Sequence, residues 1–300
     1  MKFNRRSFIK SSSLITAGLF LPANKLIAAL QEELNNMKTL RNNVGIYTER
    51  GGTIGWYISD DAVVVIDSQF PDTANNFVSL LLDMSHKKID LVINTHHHRD
   101  HTSGNISFSK ICDTFVAYEN TVSLQKKFYG HGENAGSQVY ASVTFKDKWS
   151  TKIGRETVTA EHLWAAHTGG DSFIHFENAN VVHLGDLIFN NMHPFVDRPG
   201  GAHIQGWINY LEELLKRFDN DTIFIFGHGT SVTGGKDDLI RMRDYLSALL
   251  DFVHVNIKEG KTKEEVNELS YIPGFEHLGE AHINRLKINL IAAYEELTSY

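Results

Sequence analysis

One cysteine in 300 residues, Cys112, excludes an intramolecular disulfide whatever the compartment. Prolines number five. There is no Pro/Gly/Ser-rich linker, composition break or internal repeat beyond residue 40, which argues for one folded domain over residues 30–300. Apolar runs are short. None reaches the roughly 20 residues a helix needs to cross a bilayer, so no stable membrane anchor is expected. Basic blocks are missing as well: 29 Lys and Arg stand against 36 Asp and Glu, a formal charge of −7. Phosphate neutralisation needs clustered cations, so nucleic acid is not an expected partner. What is present is an ordinary folding composition, 42% hydrophobic and 22% charged, enough to bury a substantial core. Cys112 reads as a packed core thiol.

Residues 1–29 differ from the rest. They hold five Lys/Arg and no acid, a modest apolar run from Leu14 to Leu21, and small residues near Ala28-Ala29. A basic start, a short apolar middle and a small-residue end are the pattern of an export signal. Within it, Asn4-Arg5-Arg6-Ser7-Phe8-Ile9-Lys10 resembles the twin-arginine signal of bacteria. That resemblance implies export of a folded protein by the twin-arginine machinery and a periplasmic or secreted location. Losing those five charges takes the chain from −7 to about −12.

The remainder alternates strand-like and helix-like stretches. Residues 44–67 read as strands, with a hairpin turn at Asp60-Asp61. Pro71 opens a helix to about Ser85; 89–94 and 114–118 are short strands and 119–128 a helix. Segments 139–166 and 172–184 are strand-rich, the second with a turn at Glu177–Asn180. A helix at 203–219, a strand at 221–226 and helices at 236–258, 262–269 and 279–298 complete the chain. Strand-dense blocks covered by helices imply an α/β layered architecture.

Residues 93–105, INTHHHRDHTSGN, carry four histidines beside an aspartate and an arginine. His96 and His98 are two apart at a strand end, where period-two geometry aims both imidazoles one way and His97 the other. Asp100 and His101 follow where a helix begins. Taken alone, the cluster is also compatible with a solvated histidine-rich patch. Three distant residues bear on it: His167 after the apolar run LWAA, Asp186 after VVHLG and His228 after IFIFG. Each is read as lying just past a short hydrophobic strand, and such ends converge on one rim of a sheet.

The pattern His96-x-His98-x-Asp100-His101, followed in order by His167, Asp186 and His228, resembles the metallo-β-lactamase superfamily over about residues 44–230. The resemblance implies an αββα four-layer sandwich. It places one metal ion on His96, His98 and His167, a second on Asp100, His101 and His228, and Asp186 as the bridge between them. Imidazoles with carboxylates suit two Zn²⁺, with Fe or Mn left open. The implied reaction is hydrolysis of an ester, lactone, thioester or amide bond of a small-molecule substrate, a β-lactam among them, by a metal-bridging hydroxide. Asp100 is the catalytic candidate, placed to orient the nucleophile or carry its proton.

Departures narrow the reading. Class B1 lactamases have a cysteine where this chain has Asp186, and the hairpin loop at Glu49–Gly52 is short. An iron-dependent redox enzyme of the same fold, similar to the persulfide dioxygenases, is the alternative. His193 is a candidate substrate-binding residue on the loop after Asp186. Thr168, Asp171 and Asp67 are expected to brace the site by hydrogen bonds. His183 reads as an interior strand histidine, and His97 and Arg99 as bystanders facing away. His203 and Trp207 read as packing residues of the helix they begin, and Tyr47, Trp56 and Phe70 as core or rim aromatics.

Overall fold

Alternating β-branched and aromatic residues build two sheets, and which face each residue takes decides the layers. The computed structural model describes residues 36–85, 87–278 and 283–299; the expected export signal at 1–29 lies outside them. Two units divide the chain, Met1–Lys38 and Thr39–Tyr300, and the elements from Thr39 onward belong to the second.

The first sheet follows chain order through seven strands. These are β1 (Met37–Arg41), β2 (Val44–Tyr47), β3 (Ile54–Ile58), β4 (Val63–Ile66), β5 (Leu91–Asn94), β6 (Phe115–Tyr118) and β7 (Val143–Phe145). Strands β2 to β4 form antiparallel hairpins, the second turning at Asp60-Asp61 as expected, with Ile58 opposite Val63. From β4 to β7 the pairing is parallel. Parallel neighbours need crossovers, which α1 (Pro71–Ser85), the short helices α2 (Arg99–Thr102) and α3 (Asn105–Phe108), and α4 (Glu119–Tyr129) provide.

The second sheet contains β8 (Lys148–Ile153), β9 (Glu156–Glu161), β10 (Phe173–Phe176), β11 (Val181–His183), β13 (Ile223–Ile225) and β15 (Thr233–Gly234). A two-stranded parallel pair, β12 (Phe189–Asn190) with β14 (His228–Gly229), stands apart from it. Helices α5 (Ile204–Arg217), α6 (Lys236–Lys258), α7 (Lys263–Asn267) and α8 (Ile283–Thr298) complete the described residues.

Side-chain alternation shows how the layers stack. Val44, Ile46, Val64, Ile66 and Ile93 of the first sheet share one core with Val158, Ala160, Ile174, Phe176, Val181 and Ile225 of the second. Their strand neighbours point the other way: Phe173, Val182 and Phe224 pack with Trp207, Leu211 and Leu214 of α5 and with Leu246 and Leu290 of α6 and α8. On the outer side of the first sheet, Tyr47 meets Phe77 of α1 at 5.2 Å between ring centres. The order is helix, sheet, sheet, helix, the αββα sandwich. Each large side chain buried in these layers contributes roughly 1.5–3 kcal/mol.

One local expectation differs. Leu163–Ala166 is not the end of a strand: β9 stops at Glu161, and Trp164 is exposed. His167 therefore stands on an irregular loop held by backbone bonds from Asp197 N–H to His167 O and from His203 N–H to Ala166 O. Apolar runs of four residues lack the length to separate strand from packed loop. Cys112 is buried, its thiol donating to Thr114 O.

Candidate metal centre

All seven residues singled out by spacing come together at one end of the sandwich. Asn94 ends β5, and the next four residues carry His96 and His98; α2 begins at Arg99 and supplies Asp100 and His101. His167 enters from the β9–β10 loop, Asp186 from the turn after β11, and His228 from the start of β14 after β13. Two groups of potential ligand atoms result, His96/His98/His167/Asp186 and Asp100/His101/His228, each within 4.8 Å.

The far nitrogen of each imidazole fixes its tautomer. His167 Nδ1 lies 2.5 Å from Phe195 O, which only accepts, so Nδ1 carries the proton. His98 Nε2 lies 2.9 Å from the Asp197 carboxylate and carries its proton there. Thr95 Oγ1 donates to Asp67 at 2.7 Å, so it accepts from His96 Nδ1 at 3.0 Å. In the neutral rings the inward nitrogens are then all bare. His98 Nδ1 sits 3.1 Å from His96 Nε2 and 3.0 Å from His167 Nε2. Three lone pairs facing one another at this distance repel unless a cation lies between them. Burial holds His96 well below its usual value, so its inward nitrogen carries no proton. Burial and the neighbouring His98 also push His167 down to about 3.

The second group behaves differently because carboxylates surround it. Burial works against a charge on His101, but Asp186, Asp67 and Asp100 raise it well above the ordinary range. His228 is likewise raised to about 9, burial being outweighed by Asp186 and by the bond to Asp100. Burial opposes ionisation of Asp100, yet His101 and His228 hold it down to about 2. Asp186 spans both groups. One oxygen is 3.8, 3.5 and 3.4 Å from His96, His167 and His228, and the other is 3.1 Å from His101 Nε2. That last pair is an ion contact not aligned as a hydrogen bond: His101 Nε2 and Asp186 Oδ1 are both buried without a hydrogen-bond partner. Unpartnered buried polar atoms aimed at one point, beside bare imidazole nitrogens, fit a pair of divalent cations.

Glycine makes room at two contacts. A Cβ on Gly227 would lie 1.9 Å from Asp186 Oδ1, and one on Gly52 would lie 2.2 Å from the His101 ring. The residue before His228 and the short β2–β3 turn are thus both shaped by the side chains of Asp186 and His101.

The bracing residues are in contact with the site. Asp67 accepts from Thr95 N–H and lies 2.7 Å from His101 Nδ1. The Asp171 carboxyl takes bonds from Thr168 N–H and its hydroxyl, while burial lifts it to about 8. His183 is interior and its Nε2 donates to Thr53 O at 3.0 Å. Arg99 is exposed. His97 turns from the two ligand groups but is fully buried, against the Phe128 ring at 5.3 Å and 3.6 Å from Asp197. Trp207 is fully buried and donates to Leu187 O; the His203 side chain caps α5 by accepting from Gly206 N–H. His193 is buried, its Nδ1 2.8 Å from the Tyr245 hydroxyl.

Asp197 escaped sequence reasoning. It holds His98, and only its place in the turn Asp197-Arg198-Pro199-Gly200 hinted at a fixed geometry. A Cβ at Gly200 would lie 2.0 Å from its carboxylate.

Known proteins resemble this chain in sequence or in fold. A type 2 metallo-beta-lactamase from Elizabethkingia meningoseptica is 22% identical over 201 residues, 64% of this chain and 78% of that protein. A probable hydroxyacylglutathione hydrolase from Schizosaccharomyces pombe is 28% identical over 151 residues, 48% of this chain and 51% of its own length. A stereoselective inverting sec-alkylsulfatase from Pseudomonas sp. superposes with a TM-score of 0.67 at 16% identity, over 88% of this chain and 50% of that one. This chain thus spans about half the length of the last two proteins. The family model of the metallo-beta-lactamase superfamily matches residues 47–228, a stretch that runs from the first sheet to the last of the seven converging residues, and the chain belongs to that superfamily.

Proposed function

We propose that the chain is an exported hydrolase with two zinc ions. His96, His98 and His167 would hold one, Asp100, His101 and His228 the other, with Asp186 shared. Its broader class is that of a metal-dependent hydrolase of its superfamily. The observation that supports the finer reading is His98 Nδ1 lying 3.1 Å from His96 Nε2 and 3.0 Å from His167 Nε2, beside Asp186 Oδ1 and His101 Nε2, which are buried without a hydrogen-bond partner. Five imidazoles with two carboxylates match zinc better than an all-oxygen cation, and no cysteine is needed.

Two such ions, when bound, supply Lewis acidity at the scissile group and lower the pKa of a water to near 7. The protein's own part is positional. His96, His101 and His167 are almost wholly buried and hold the base of the site rigid, whereas Asp100 and His228 are 27% and 21% exposed and form its mouth. Asp100, ionised and held down to about 2, accepts a hydrogen bond from an incoming water and orients it. His228, stacked on Phe189 at 5.6 Å, keeps the opposite lip in place. An ester, lactone, thioester, amide or sulfate ester is the substrate class; the thioester and sulfate arms follow from the hydroxyacylglutathione hydrolase and the alkylsulfatase.

Metal analysis together with a hydrolysis panel over these bonds tests the reading. Two zinc ions per chain and turnover of one class are expected. One iron with oxygen consumption would replace it by the redox alternative. Export rests on Arg5-Arg6; changing both to lysine should retain the protein in the cytoplasm, and unchanged fractionation would remove the export reading.

A further inference from the structure

Arg285 carries a charge that no carboxylate among the described residues answers. Among the described residues, Arg41, Arg50, Arg198, Arg217, Arg241 and Arg243 each lie against an Asp or Glu; Arg99 and Arg155 do not, but both are exposed. Arg285, half-buried in the first turn of α8, has no such partner among those residues. Its guanidinium lies over the Phe189 ring, 5.3 Å from the centre. One nitrogen makes two long contacts, 3.4 Å to His193 O and 3.6 Å to Met192 Sδ. A guanidinium offers five N–H donors in a planar fork, so most of this one is unused.

The ring beneath it belongs to the metal centre. Phe189 stacks on His228 at 5.6 Å and meets His167 at 5.5 Å. One aromatic ring therefore separates an unpaired cation from a ligand of each metal group. A partly desolvated cation without a counter-ion is unfavourable, and planar oxyanions are what its fork matches. Phe189 fixes the plane from which those donors project.

We propose that Arg285 on Phe189 forms an anion subsite at the rim of the metal centre, which takes a carboxylate or sulfate group of the substrate and sets the scissile bond over the metals. The substrate is then an anionic ester, thioester or amide. The proposal rests on the hydrolase reading for the word substrate, but the subsite is measurable without turnover.

The probe is a matched set of thiols, whose sulfur binds zinc: propanethiol, a series of ω-mercaptoalkanoates, and 3-mercaptopropanesulfonate. Affinities for the zinc-loaded protein are read by calorimetry. At one chain length an anionic thiol should bind about 10- to 100-fold tighter than propanethiol, the range of one charge-assisted hydrogen bond. Arg285→Met should erase that preference while propanethiol affinity moves less than about twofold; Arg285→Lys should keep part of it. Carboxylate against sulfonate tells which anion fits.

Absence of the preference, its survival in Arg285→Met, or failure of every thiol to bind overturns the proposal. So does an equal loss for propanethiol with a lowered melting temperature, which would make Arg285 only a brace for Met192 and His193. A preference that Arg285→Met abolishes, in a protein that hydrolyses nothing, keeps the subsite and removes the hydrolase reading. Hydrolysis without the preference does the reverse.

Discussion

Asp67 Oδ2 lies 2.7 Å from His101 Nδ1, with both side chains entirely out of solvent. The same carboxylate takes Thr95 N–H at 2.8 Å and the Thr95 hydroxyl at 2.7 Å. It therefore ties the end of β4 to the segment after β5 and to α2. Asp67 does this from a left-handed backbone, φ +61°, a conformation that costs on the order of 1–3 kcal/mol and persists only where its surroundings enforce it.

Asp67→Ala strands three buried donors and should destabilise the metal-free protein by roughly 3–5 kcal/mol in urea unfolding. Asp67→Asn tolerates the backbone and should cost less, yet it mismatches His101. A change under about 1 kcal/mol for the alanine variant would mean that water replaces the carboxylate.

Asp197→Ala removes the acceptor of His98 Nε2, 2.9 Å away, and frees the ring to rotate or change tautomer. Affinity for the ion at His96/His98/His167 should fall about 10- to 100-fold, with the other ion much less affected. Chelator competition on the two sites separates these, and equal loss at both would contradict the specific role.

Gly227→Ala places a methyl 1.9 Å from Asp186 Oδ1. Asp186 must swing away, so the protein should fold while binding fewer than two ions per chain and losing at least about tenfold in turnover. Mass spectrometry of the holoprotein checks occupancy; full occupancy would show that the strand shifts instead.

Stability of the metal-free protein should decline as pH rises from about 6.5 to 9. His228 is raised to about 9 and His101 also upward. A group with a raised folded value stabilises fully below its unfolded value near 6.5 and loses that contribution through its folded value. For His228 the swing is up to roughly 3 kcal/mol. Melting curves with a chelator test this, and a flat profile above pH 6.5 would show that the two histidines are neutral.

Much of the fold is readable along the chain because the signals are local. The Asp60-Asp61 and Glu177–Asn180 turns, the helix opened by Pro71 and the short strands each rest on neighbouring residues. Leu163–Ala166 failed for the same reason, since nothing within four apolar residues tells a strand from a loop pinned by distant carbonyls. Asp197 was invisible because its partner is 99 positions away, and Arg285 because the lack of a carboxylate partner among the described residues shows only in three dimensions.

By itself, the sequence determined residue type, order and spacing: which imidazoles and carboxylates exist, and in what sequence they follow one another; His96 and His98 lie beyond the end of β5, so strand alternation does not orient them. Only the tertiary structure decided tautomer, charge and access. Those depend on what lies across the sandwich: Phe195 O behind His167, Asp197 behind His98, three carboxylates around His101, and no carboxylate among the described residues beside Arg285. Hydrogen bonding and desolvation act over a few ångströms in space, and chain distance does not encode them.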